Sequence, residues 1–337
     1  MGTKSNIWLH RFAVFTACST FALVIAGGLV TSTGSGLAVP DWPLSYGQLM
    51  PSMVGGIFYE HGHRMVATFV GFLTTILAVW LWRVEERKWV RNLGVIALLA
   101  VVTQGVLGGM TVLFLLPTPI SVSHATLAQS FFSLTVVLAL VTSKGWRDHR
   151  PSESIFSGRT RRWTAAATSA VFVQLVLGAL MRHTHSGLAI PDFPLTYGQF
   201  LPPIDLAGLE NVNAYRIQLD LDPVSLMQVW IHFAHRIGAI IVSIIVLGAV
   251  RHIIKNYRTE LELREPALIA LVLLVVQIFL GAITVWSGKG MEIATAHVAC
   301  GALLLATNVL LTVRTYHLYT LPVNARSYSF AVEGSRV

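Results

Sequence analysis

Two short stretches of this chain carry residues that could do chemistry, and they match. They are Glu60-His61-Gly62-His63-Arg64 and His232-Phe233-Ala234-His235-Arg236. Each opens a long apolar run and follows a Ser-Gly-Leu-Ala…Pro-Asp…Tyr-Gly-Gln segment. Each is also followed by a further histidine at the head of another apolar run, His63 to His124 spanning 61 residues and His235 to His297 spanning 62. A single histidine in such a setting is most simply an interhelical hydrogen-bonding residue. Four at repeated positions favour function, because polar groups inside apolar spans are costly and mark working sites. Imidazole is the commonest nitrogen ligand for metals, so the spacing points to a metal or cofactor held twice.

The elements that must position these residues are helices in lipid. Hydrophobic residues make up 54% of the 337 and charged residues only 12%, with a mean hydropathy of +0.65. A bilayer core takes roughly 20 apolar residues per helix. Eight such runs occur, at about 12–33, 63–82, 92–115, 121–142, 161–182, 228–253, 266–287 and 292–313. The short alternating strands of an outer-membrane barrel are not seen.

The net charge of +8 is a topology signal and not a nucleic-acid footprint. Of the 24 Lys and Arg, 19 fall in the N-terminus, the 83–91, 144–162 and 251–264 segments and the C-terminal tail, and none lies between Thr31 and Gly62. By the positive-inside rule both termini are expected in the cytoplasm. That places the protein in the inner (cytoplasmic) membrane with the four histidines toward the outer side. Trp80, Trp82, Trp89, Trp146 and Trp163 would form an interfacial belt on the cytoplasmic side. The basic, apolar N-terminus is read as an uncleaved first helix and not a signal peptide. Cys18 and Cys300 both fall inside apolar runs and offer no disulfide framework.

An internal repeat organises the chain. Ser35–Pro51 and Ser186–Pro202 are identical at 12 of 17 positions with a constant offset of 151. The preceding helices are expected to end at Gly27-Gly28 and Gly178-Ala179. Gln104, Gly108, Thr111 and His124 match Gln277, Gly281, Thr284 and His297 at an offset of 173. The expected fold is all-α, with eight transmembrane helices in two four-helix bundles related by a pseudo-two-fold axis along the membrane normal, both termini inside. The halves are residues 1–142 and 161–320, joined by a polar linker at 143–160 and followed by a loosely ordered tail at 321–337. The second loop carries a longer polar insert at 203–227. Small residues such as Gly105, Gly108 and Gly109 allow close helix approach and permit a homo-oligomer.

Within each half, two histidines at one level of a four-helix bundle can ligate a haem iron from both faces. The halves differ at one place: Glu60 lies three residues before His63, whereas His232 stands at the equivalent position. Glu60 is either a reacting group beside a ligand or a helix-start acid favoured by the dipole. Arg64 and Arg236 either pair with haem propionates or snorkel to headgroups. Asp41 and Asp192 read as turn residues. Trp42 and Phe193, in the same turns, cover a site mouth or dip into the interface. His61, His183 and His185 read as solvated mouth residues, and His10, His149, His252 and His317 as interfacial ones.

Gly34-Ser-Gly-Leu-Ala-Val-Pro-Asp-Trp-Pro43, Glu60-x-x-His63-Arg64, Ser123-His124-Ala125, His235-Arg236 and Ala296-His297 together resemble the haem A synthase family. The resemblance covers about residues 10 to 315 and implies a membrane oxidoreductase that converts the C8 methyl of haem O to the formyl group of haem A for cytochrome oxidase. It implies haem b between His235 and His297, the substrate haem between His63 and His124, and Glu60 as the catalytic acid. Haem O synthase, a farnesyltransferase, and an electron donor are the partners it suggests. In one respect the chain departs from the pattern: many bacterial relatives carry a first-loop cysteine pair, which is missing here between Thr31 and Gly62.

Two other classes remain open. A dihaem cytochrome b passing electrons from quinol also uses bis-histidine haem, but its haems lie on opposite sides of the membrane, whereas these four histidines lie on one. A haem or small-molecule transporter also has parallel repeats, but would place polar residues at the midplane, where only Gln104 and Gln277 are found.

Overall fold

A computed structural model describes residues 6–148 and 158–318. Its helices are α1 (Ile7–Ser32), α2 (Gly56–Val84), α3 (Lys88–Leu113), α4 (Thr118–Thr142), α5 (Lys144–Asp148), α6 (Gly158–His183), α7 (Leu206–Gln218), α8 (Leu226–Asn256), α9 (Leu261–Trp286) and α10 (Met291–Leu318), with a 3-10 turn at Ser186–Leu188. All but α5 and α7 are long and apolar enough to cross a membrane. Among the described residues there is no strand, only isolated bridges between Ser45 and Gln48 and between Thr196 and Gln199. The tail at 321–337 and His149 lie outside the described residues, as does half of the linker, 149–157.

Local chemistry sets the helix starts. Asn6 caps α1 by accepting from the Trp8 and Leu9 N–H groups, a contact worth about 1 kcal/mol. Ser225 and Gln228 form a reciprocal capping box on α8. Within the spans, hydroxyls are satisfied by the preceding turn, as in Thr16 to Phe12, Thr74 to Val70 and Ser133 to Gln129. No water is present in a bilayer core to solvate such groups otherwise.

Packing closes two rings of four helices. The first runs α1–α2–α3–α4 and back to α1; the second runs α6–α8–α9–α10 and back to α6. Hence α2 faces α4, and α8 faces α10, across the centre of a ring. The rings meet where α1 and α4 pack on α10 and where α4 packs on α6. Each ring has its own core, around Leu77, Leu81 and Leu138 in the first and Val246, Ile253 and Leu263 in the second. Val24, Phe132, Ala302 and Ala306 fill the seam. Lipid is as apolar as leucine, so close contact and not apolar burial favours this association. The outward faces are correspondingly apolar, with Phe72, Leu99, Ile244 and Phe279 exposed.

Three expectations change. The first and fifth apolar helices do not stop at Gly27-Gly28 and Gly178-Ala179 but continue to Ser32 and His183; those glycines sit within helices for a packing reason given below. The insert at 203–227 contains α7, capped by Asp205 and tied down by the buried Arg216. Of the aromatic belt, Trp82 and Trp89 are exposed. Trp146, by contrast, is buried and stacked on His317, and Trp163 packs against Gly248. At the same end Glu85 is held by Arg87 and Arg147. Burial pushes its carboxyl up, and the two guanidinium groups outweigh that to leave it below the ordinary glutamate range.

Candidate functional site: four histidines set against glycines

Each of the four repeated histidines presses its ring edge onto a glycine of the neighbouring helix. A Cβ placed on Gly27 of α1 would lie 3.1 Å from His63 Cε1 of α2, and one on Gly108 of α3 would lie 3.3 Å from His124 Cε1 of α4. In the second ring, Gly178 of α6 meets His235 Cε1 of α8 at 3.1 Å and Gly281 of α9 meets His297 Cε1 of α10 at 3.2 Å. Any side chain there would push the imidazole away. This is why glycine stands inside four otherwise regular helices, at a helical cost near 1 kcal/mol each.

The rings are partly buried. Nδ1 of His63, His124 and His297 is fully enclosed with no hydrogen-bond partner. A buried unpaired nitrogen is uncommon and asks for an explanation such as a missing ligand. Glutamine amides attend three of the four histidines. Gln104 Nε2 donates to the His124 carbonyl at 3.0 Å, Gln277 Nε2 lies 3.3 Å from His297 Nε2, and Gln174 Nε2 donates to the His235 carbonyl at 2.8 Å while lying 3.1 Å from Nδ1. At the position of Gln174 the first half has Leu23.

The two arginines fasten the two long loops. Arg64 Nη1 donates to the carbonyls of Asp41 and Leu44 at 2.8 and 2.9 Å, and Nη2 to that of Val39 at 3.2 Å. Arg236 binds the carbonyls of Ile190, Asp192 and Leu195 at 3.1, 2.7 and 2.8 Å, the same three loop positions. Both guanidinium groups are engaged by loop carbonyls. The fourth terminal N–H of Arg64 goes to Glu60 Oε1 at 2.6 Å. Arg236 has no such acid beside it, and its buried Nε is unpaired. Glu60 Oε2 accepts from the Val39 N–H at 2.8 Å. His232 Nδ1 accepts from the Ile190 N–H at 3.2 Å. Glu60 and His232 therefore share one local task, and only Glu60 brings a charge to it.

The Pro-Asp turns fold alike. Asp41 accepts from the Tyr46 and Gly47 N–H groups at 2.6 and 2.8 Å, and Asp192 from those of Tyr197 and Gly198 at 2.7 and 2.8 Å. Tyr46 and Gly47, like Tyr197 and Gly198, have positive φ. The Gly47 and Tyr46 amides hold the Asp41 carboxyl below its usual range. The Tyr46 and Tyr197 hydroxyls donate to the Ala38 and Ala189 carbonyls. Trp42 lies flat on Gly109, one residue beyond the glycine that meets His124. Phe193 stacks edge-on with Trp286 at 5.9 Å.

The structure thus gathers His63, Arg64 and Glu60 with the first loop, and His235 and Arg236 with the second, and it places the histidine-bearing helices diagonally. His61 is not solvated: it is buried and bonded to Ser45 Oγ at 2.8 Å, because the loop folds over it. His185 is exposed. Gln174 has no counterpart in the first half to draw notice, and Arg182, which falls beyond the expected helix end at Gly178-Ala179 and so reads as a loop cation, lies in the last turn of α6. Among the described residues no group of three or more His, Cys, Asp and Glu side chains could hold a bare metal ion. Paired imidazoles suit instead a metal whose other positions are filled by a macrocycle.

Comparison with known proteins shows the family. Proteins called heme A synthase are similar along nearly the whole chain. That of Geobacillus kaustophilus is 28% identical over 330 residues, 95% of this chain and 96% of its own. That of Lysinibacillus sphaericus is 26% identical over 298 residues, 87% and 91% respectively, and that of Shouchella clausii 28% over 272 residues, 80% and 84%. The profile of the COX15-CtaA family, described as cytochrome oxidase assembly protein, matches residues 10–55 and 53–309. With two histidine-bearing helix rings and a match over most of its length, the chain belongs to the COX15-CtaA family of cytochrome oxidase assembly proteins.

Proposed function

We propose that this protein is a haem A synthase whose first ring processes the substrate and whose second ring keeps a resident haem. It is a multi-pass membrane oxidoreductase that converts haem O to haem A. The observation that carries the reading is the fourfold glycine–histidine contact, which gives two diagonal imidazole pairs, three of the four with an unpaired Nδ1. In the first ring His63 and His124 hold haem O, and in the second His235 and His297 hold haem b. Bound haem b would supply one-electron redox chemistry.

The methyl carbon loses four electrons on becoming a formyl carbon, through two hydroxylations and loss of water, and protons must move at the reacting oxygens as the second hydroxyl leaves as water. Glu60, one helical turn from His63, is the group proposed to hold or pass a proton there. Its Oε1 is shared with Arg64, so a proton arriving at that oxygen weakens the Arg64 pair and is felt by the first loop. Arg64 acts chiefly as the loop fastener. Arg236, with its unpaired Nε, keeps capacity for a propionate.

The distribution of Lys and Arg supports both termini in the cytoplasm, in an inner membrane, with the two loops and both haem sites on the outer side. The farnesyl tail keeps haem O in the bilayer, where a farnesyltransferase would deliver it. A separate electron donor and a homo-oligomer through small-residue faces complete the proposal.

Extraction and chromatography of the haems from purified protein tests it. Haem B together with haem O or haem A supports one resident and one processed haem. Haem B alone at two per chain favours an electron-transfer cytochrome, and no haem from haem-replete cells would leave the transporter.

A further inference from the structure

Among the described residues, Arg182 is a cation at the seam of the two rings that forms no ion pair. It lies in the last turn of α6, one turn beyond Gly178, and reaches across the seam to α1. Its Nη2 donates to the Gly28 carbonyl at 3.1 Å and to Ser32 Oγ at 2.7 Å, both on α1. Ser32 Oγ also accepts from Thr295 Oγ1 at 3.0 Å, and Thr295 stands two residues before His297. Gly28 is pressed by the same Thr295 side chain and adjoins Gly27, which meets His63. The guanidinium therefore sits between the two histidine pairs, at their level, within electrostatic reach of His297.

Both groups that it binds are neutral, and they use one nitrogen of three. The ion pairs formed among the described residues are Glu60–Arg64, Glu85–Arg87 and Glu85–Arg147, none of them at this seam. A charge inside a membrane protein is normally compensated, and guanidinium is built to grip a carboxylate through two parallel N–H groups. At the equivalent position of the first half stands Thr31, so the device exists once.

We propose that Arg182 is a carboxylate anchor for the haem held between His235 and His297, pairing with one of its propionates. The proposal rests on the haem reading of that histidine pair. Arg182 would favour the second ring as the site of a retained haem, and its charge would favour the reduced state of that haem.

The test uses the full-length protein in detergent, as wild type, Arg182→Lys and Arg182→Gln, reconstituted with haem b or with its dimethyl ester. Binding is followed by absorbance and the midpoint potential by redox titration. Expected is a wild-type preference for the free acid that falls several-fold in Arg182→Lys, whose ammonium lacks the fork, and about tenfold or more in Arg182→Gln. The midpoint of the free-acid haem should also fall in Arg182→Gln, a tenfold change in the reduction equilibrium being 59 mV for one electron. An unchanged preference in Arg182→Lys or Arg182→Gln overturns the proposal and leaves Arg182 a seam contact. Equal wild-type affinity for acid and ester overturns it as well. Failure of the wild type to take up haem b at all would instead sink the haem reading of the second ring.

Discussion

The two rings are built on one plan, and three of their differences lie at the histidine sites. Where the first has Leu23, Thr31 and Glu60, the second has Gln174, Arg182 and His232. The plan itself is shared residue for residue: arginine on three loop carbonyls, aspartate on two turn amides, histidine on glycine. What differs is how firmly a ligand is attended and where charge sits. The second ring gives both of its histidines a glutamine amide and adds a cation at the seam. The first leaves His63 without a hydrogen bond to either ring nitrogen among the described residues, and puts a carboxylate one turn away. One scaffold thus offers a site suited to retention and another suited to turnover, as the proposed division between haem b and haem O requires.

The comparison can be broken most sharply at the histidines. His235→Ala should remove the resident haem and, with it, more than about 10²-fold of conversion. His63→Ala should abolish conversion to the same degree yet retain haem b. Haem content per chain and haem A yield read both, and loss of haem b in His63→Ala would refute the division. Next comes Glu60. Glu60→Gln keeps an oxygen for the Val39 amide but removes the charge, so conversion should drop about 10²-fold with the haem b spectrum intact. Glu60→His, which imitates the second ring, should behave alike. Full activity in both would reduce Glu60 to the loop-holding task that His232 performs.

Smaller effects should come from the glycines. In Gly178→Ala and Gly27→Ala the new methyl meets a ring edge at 3.1 Å, so the imidazole must shift by a few tenths of an ångström. We expect about tenfold weaker haem binding with a displaced absorption band, at the second ring for Gly178→Ala and at the first for Gly27→Ala. The smallest effect is that of acid on the first loop. The Asp41 carboxyl is held below its ordinary value of 3.8, so its contribution to loop order is complete above that pH and is lost as pH falls through the lower folded value. Hydrogen exchange at the Tyr46 and Gly47 amides should accelerate only in that acid window, and in Asp41→Asn should be fast at neutral pH too.

The helices were legible because lipid imposes one rule on every span, a long apolar run, and the runs around His63, His124, His235 and His297 obey it. The duplicated loops were legible because Asp41 and Asp192 sit in matching Pro-Asp-aromatic-Pro turns. Glycine was misread at Gly27 and Gly178 as a helix stop. In water that reading is sound, but inside a bundle glycine also marks where something must come close, and only the neighbouring helix reveals the histidine. The loop-facing roles of Arg64 and Arg236 were hidden for a similar reason, since backbone carbonyls leave no mark in a sequence. Gln174 has no mark in the sequence because Leu23 stands at its place in the first half, and Arg182 reads as a loop cation as long as the helix before it is taken to stop at Gly178.

A ring pressed edge-on against a neighbouring backbone has little room to turn or recoil. Side-chain supports would swing with their own rotamers, but the α-carbons behind His63, His124, His235 and His297 move only with whole helices. Imidazoles held in this way would keep their places through a change of charge at a group bound between them. The reorganisation that accompanies each change would be correspondingly small, and the glycines, which carry no chemistry themselves, would set that property.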